Sequence, residues 1–188
     1  IPSIPMSENT KDVLIAEAKF FRAFNYFTLV KWFGDVPLST EPSESLNGLE
    51  LPRTPVATVY KLIEQDLIDA VNKLPAETWQ NNSHHITKYV AAQALTTVYM
   101  QQGKYDKAAT TAKEIIASGK YSLTQNEDNL LKSAYNKLRT IDDLPEVIYA
   151  IEYEASIVST GWRPTYAFSS SATSVFTLRN IFERVYGP

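Results

Sequence analysis

Glu17 to Pro37, EAKFFRAFNYFTLVKWFGDVP, is the most aromatic stretch of the chain and decides how the rest is organised. At about 100° per residue from Val13, apolar side chains fall on nearly every bearing (Leu14, Phe20, Phe21, Phe24, Phe27, Leu29, Val30 and Trp32), which predicts a helix enclosed by protein. Upstream, Ser7, Asn9 or Thr10 can cap this helix, and Asp12 places negative charge in its first turn, where the dipole favours it. The helix is expected to reach about Phe33, where Gly34 releases it and Pro37 forbids its return.

Downstream, Asp35 to Arg53 reads as a long surface loop of Pro, Ser, Glu and Asn. Thr54 followed by Pro55 predicts a second helix start, a capping hydroxyl with proline at the first helical position. Val56, Val59, Tyr60, Ile63, Leu67, Ala70, Val71 and Leu74 follow at three- and four-residue steps, and Pro75 ends the run. Thr87 opens a helix through about Gln102, closed by Gly103. Another runs from near Tyr105 to before Gly119. The order Leu95, Tyr99, Gly103, Tyr105, Ala108, Ala112 has tetratricopeptide spacing, with small residues where two helices approach. Because such units bury their faces against neighbours, the helix pair from Thr10 to Leu74 is expected to supply a degenerate second unit.

The spelling of these segments resembles the SusD/RagB family, surface lipoproteins of Bacteroidetes. The family's EAR-x-x-RA-x-x-YF-x-L segment and F/Y-G-x-VP-L turn match Glu17, Ala18, Arg22, Ala23, Tyr26, Phe27, Leu29, Phe33, Gly34, Val36, Pro37 and Leu38, with Lys19 in place of the usual Arg. Further family segments can be read at Leu51 to Val56, Asp66 to Pro75, Ala92 to Tyr99 and Gly103 to Leu123. The resemblance implies a mainly α fold of tetratricopeptide-like helical repeats, with a short β/loop region near the C-terminal end. It divides the chain into a helical scaffold over 1–123 and the start of a mixed strand and loop ligand-binding region over 124–188. Family members are typically several hundred residues long and begin with a signal peptide and a lipidated cysteine, so the chain is expected to be a fragment.

Composition narrows the functional classes. The chain has 188 residues, 44% of them hydrophobic and 12% aromatic, ample for one core. A formal charge of -3 gives no basic footprint for nucleic acid or anionic membrane. The absence of cysteine removes disulfides, thiol nucleophiles and thiolate metal sites. No apolar run approaches the roughly 20 residues of a transmembrane helix.

After Leu123, a short acidic helix is expected from about Glu127 to Lys137. The period then changes to two: Val147, Tyr149, Ile151 and Tyr153 alternate with Ile148, Ala150, Glu152 and Glu154, which predicts a strand. Leu178 to Tyr186 reads as a last short helix.

Catalytic constellations are weak. Glu152 and Glu154 stand about 7 Å apart by strand rise, within the range of inverting glycosidases, but alternate glutamates ordinarily form a strand's solvent face. Asp142 and Asp143 beside Pro145 read as turn residues. Adjacent His84 and His85 diverge and have no third metal ligand nearby. Glu17 and Arg22 are assigned to the scaffold, since a charge on a buried helix must be paired.

Binding candidates are clearer. Trp162, Arg163, Tyr166 and Phe168 stand among Ser and Thr between Ser156 and Ser174. Their ring faces could stack on a pyranose or line an extended peptide, or the aromatics could plug a gap beneath the loop. Trp79 and Asn82, with Asn81, could touch a sugar from the loop before Thr87, although a tryptophan after a helix end more often covers the core. The resemblance implies no enzymatic reaction and no cofactor. It implies capture of a glycan, or of a peptide as in RagB-like proteins, at the outer-membrane surface, for a TonB-dependent SusC-like transporter. The alternative is a helical-repeat adaptor that holds protein partners.

Overall fold

The computed structural model describes residues 5–41, 50–127, 132–141 and 143–150, within the unit Ile1–Ala150. Helix α1 spans Glu8–Phe33. Ser7 Oγ accepts the Thr10 N–H at 3.2 Å, Glu8 lies in the first turn and Lys31 in the last, so cap and charge both suit the helix dipole. At its far end the Gly34 N–H donates to the Val30 carbonyl while Gly34 adopts φ 67°, ψ −124°, a conformation that side-chain-bearing residues rarely enter.

Strands β1 (Val36–Pro37) and β2 (Arg53–Thr54) pair antiparallel, Val36 opposite Thr54, and close the base of the long loop. Tyr26 fastens the same base, its hydroxyl accepting the Ser39 N–H at 2.8 Å and lying 3.2 Å from the Ser39 carbonyl. Helix α2 (Val56–Lys73) starts differently from expectation. Thr54 is engaged in β2, Pro55 occupies the cap position, and no side chain at the cap takes an orphan N–H. Asp35 does so from across the loop: its Oδ1 accepts the Val56 N–H at 2.8 Å.

Helices α3 (Lys88–Gln101) and α4 (Tyr105–Ala117) follow the predicted pair closely, with Thr87 capping α3 through the Val90 N–H and Gly103 turning the chain at φ 70°. Helix α1 packs on α2, α2 on α3 and α3 on α4, so each helix bears mainly on its neighbours in sequence, as in a tetratricopeptide-like solenoid. The core joins Ala16, Phe20, Ala23 and Val30 of α1 to Val59, Ile63, Leu67 and Ala70 of α2 and to Val90, Ala91, Leu95 and Val98 of α3. Each fully buried large side chain, such as Phe20 or Leu67, contributes about 1.5–3 kcal/mol of transfer free energy.

Three further expectations are revised. Helix α1 is enclosed on one side only: among the described residues, Leu14, Phe21, Leu29, Trp32 and Phe33 remain exposed. The short acidic helix is displaced to α5 (Ala134–Thr140), because Ser133 caps it through the Asn136 N–H and Asn126 Oδ1 takes the Ala134 N–H. Glu127 instead pairs with Lys132 and Lys137. Val147 to Ala150 carry no strand pairing; Val147 N–H closes a turn onto the Leu144 carbonyl. The remainder of the expected strand, with Glu152 and Glu154, lies outside the described residues.

Candidate functional site

The described candidates converge on the loop between α2 and α3. Trp79 opens it from the first residues after Pro75 and is 3% exposed. Its indole Nε1–H donates to the His84 carbonyl at 2.8 Å, while the His84 N–H returns a bond to the Trp79 carbonyl at 3.0 Å. Between them lies a short 3-10 turn, Gln80–Asn82, after which Ser83 and His84 both take positive φ, 52° and 61°. The indole bond and the His84–Trp79 backbone bond hold this tight reversal in place.

The loop also joins two other parts of the molecule. The His84 ring lies 4.5 Å from the Trp79 ring, and Tyr149 meets Trp79 edge-on at 5.6 Å. Gln80 Nε2 donates to the Val147 carbonyl at 3.0 Å, binding the loop to the stretch around Val147. His85 turns the other way, with Nδ1 3.3 Å from Glu17 Oε1 on α1, whereas His84 Nε2 lies 3.5 Å from Asp143 Oδ1. The two imidazoles therefore diverge to separate carboxylates. No group of three or more His, Cys, Asp or Glu side chains among the described residues could hold a metal ion.

For ligand contact, Trp79 and Asn82 are thus unequal. Trp79 is a core residue whose ring is packed by His84 and Tyr149 and whose only polar atom is already used. Asn82 is partly exposed; its Nδ2 lies 3.5 Å from the His85 carbonyl. Trp162, Arg163, Tyr166 and Phe168 lie outside the described residues.

The charged residues of α1 belong to the scaffold. Arg22 forms a two-pronged pair with Asp66, which is 2% exposed, and Lys19 pairs with Asp69 at 2.6 Å. Asp66 was legible as the polar residue within the apolar stripe of α2, three residues after Ile63 and four before Ala70. Beside these pairs lies a cavity of about 240 Å³ lined by Asp12, Lys19, Asp69, Asn72 and Lys73. Ion pairs Lys73–Asp12 and Lys19–Asp69 engage its four charges, and it falls below the roughly 300 Å³ at which ligand pockets usually begin.

The family assignment rests on the same helices. A family model, SusD-like_3, described as "Starch-binding associating with outer membrane", matches residues 4–100. The chain belongs to the SusD-like family. A curated relative, SusD-like protein P2 of Formosa agariphila, is 30% identical over 164 residues, covering 86% of this chain and 32% of the relative. A solved SusD-like protein from Bacteroides fragilis superposes with a TM-score of 0.69 at 25% identity, over 80% of this chain and 29% of its own. A laminarin-binding SusD-like protein superposes at 0.65 with 32% identity, over 74% of this chain and 30% of its own. This SusD-like chain therefore spans about a third of the length of the relatives it matches. The likeness agrees with the tetratricopeptide-like helical fold described above.

Proposed function

We propose that this chain is the helical scaffold of a non-catalytic, surface-exposed glycan-binding lipoprotein of the outer membrane, which delivers its ligand to a TonB-dependent SusC-like transporter. Membership of the SusD-like family carries this reading, and the laminarin-binding neighbour at 32% identity favours a glycan over a peptide. Among the described residues no helix is long and apolar enough to cross a membrane.

In this proposal Trp162, Tyr166 and Phe168 provide ring faces for pyranose C–H groups and Arg163 reaches hydroxyls, while Asn82, on the α2–α3 loop, is a separate candidate for a sugar hydroxyl. Trp79 contributes by holding the α2–α3 loop in shape. Calorimetric titration of the full-length protein with β-glucans, starch fragments and peptides tests this. Micromolar binding of one glycan class, weakened at least about tenfold (about 1.4 kcal/mol) by Trp162→Ala or Tyr166→Ala, is expected. Turnover of a bound glycan would exclude the non-catalytic role, and unchanged affinity in both folded variants would favour the protein-adaptor alternative.

A further inference from the structure

The antiparallel pair α3 and α4 leaves a cleft at one end. It lies between the start of α3 and the end of α4, has a volume of about 410 Å³ and is lined by Lys88, Tyr89, Ala92, Glu114, Ala117 and Ser118. Ala92 and Ala117, one on each helix, are too small to close the space. The volume lies within the range of ligand pockets, which the cavity between α1 and α2 does not reach.

The floor of the cleft is fixed, and its rim carries polar groups with nothing to bind. Tyr89, 9% exposed, packs with Ala92 and Ile115, and the Tyr121 ring meets it edge-on at 5.8 Å. Ser118 Oγ is turned back onto the chain, donating to the Ile115 carbonyl at 2.6 Å and accepting the Lys120 N–H at 3.3 Å. By contrast, the Lys88 ammonium, the Glu114 carboxylate and the Tyr89 hydroxyl have no hydrogen-bond or ion-pair partner among the described residues. All four charges of the α1–α2 cavity are engaged; these two are not. Opposite charges on one cleft disfavour a purely anionic or purely cationic ligand and suit a neutral one that both donates and accepts. Sugar hydroxyls do both: a carboxylate accepts from them, an ammonium donates to them, and the Tyr89 ring adds an apolar wall.

We propose that this cleft is a second glycan-binding site, formed by the helical scaffold itself and holding a neutral sugar through Lys88, Tyr89 and Glu114. The assignment rests on the glycan-binding reading above and uses none of Trp162, Arg163, Tyr166 or Phe168. Photolabelling of the full-length protein with diazirine-bearing β-1,3- and α-1,4-linked gluco-oligosaccharides, mapped by mass spectrometry, tests it. Adducts at 88–92 and 114–118 that excess unlabelled oligosaccharide suppresses are expected. Labelling there should fall at least about tenfold in Lys88→Ala with Glu114→Ala, which removes both charged hydrogen-bonding groups, and in Ala117→Trp, which fills the cleft from an exposed position. Suppressible labelling found only outside the cleft, or cleft labelling indifferent to these variants, overturns the inference and leaves the glycan-binding reading standing. No suppressible labelling anywhere overturns both.

Discussion

Arg22 grips Asp66 through two parallel hydrogen bonds, Nε to Oδ2 at 2.7 Å and Nη2 to Oδ1 at 2.8 Å, across the interface of α1 and α2. Asp66 is buried, so the pair joins the helices at a single register. The carboxylate holds the guanidinium in its charged form, raising its pKa against the opposing effect of burial.

Removing one partner should cost far more than removing both. Arg22→Met leaves a buried carboxylate unpaired and should destabilise the chain by about 3 kcal/mol or more, whereas Arg22→Met with Asp66→Leu should recover most of that loss. Urea unfolding of the two variants checks this; equal losses would mean that the apolar packing alone sets the register.

Asp35, and not Thr54, should behave as the cap of α2. Asp35→Ala is expected to cost about 1 kcal/mol and Asp35→Asn much less, because the amide oxygen can still accept the Val56 N–H. Thr54→Val should leave stability within about 0.5 kcal/mol. Thermal unfolding of the three variants distinguishes the assignments.

Acid should weaken the α1–α2 contact through Asp69. Hydrogen bonds from Lys19 and then Gln65, with the Lys19 and Lys73 charges, outweigh partial burial and hold its carboxyl below the ordinary value of 3.8. A depressed carboxyl contributes stability that is present above its unfolded pKa and lost as pH falls through the folded one. Stability should therefore decline below about pH 4, and less steeply in Asp69→Asn. Denaturation at stepped pH from neutrality to pH 2.5 measures the difference, and identical slopes would remove Asp69 from the account.

Trp79 should matter to folding and not to sugar stacking. Trp79→Ala should cost about 3–5 kcal/mol, and Trp79→Phe about 1 kcal/mol by losing the indole bond to the His84 carbonyl. In the full-length protein Trp79→Phe should bind glycan as tightly as the parent; a tenfold loss with the fold intact would make the ring a ligand contact.

The sequence carried the helical scaffold well because its signals are local. Ser7, one of the three candidate caps of α1, and Thr87 cap their helices, Gly34 and Gly103 take the positive φ their positions suggested, and the α2 stripe packs into the core as its spacing required. The candidate site was less legible. Trp79 among Asn and His looks like a binding loop, and only its indole bond and its contacts with Tyr149, far along the chain, make it a core residue. The alternation at Val147 to Ala150 suggested a strand, but a strand needs a partner, and here Gln80 binds the backbone of that segment instead.

By itself the sequence determined helices α1 to α4 and the family, since periodicity, capping residues and motif order are properties of neighbouring residues. Tertiary structure alone decided that Asp35 caps a helix 21 residues away, that Asp66 answers Arg22, and that only one flank of α1 meets the described core. These depend on which surfaces meet after the chain has folded, a matter of long-range packing that no local pattern records.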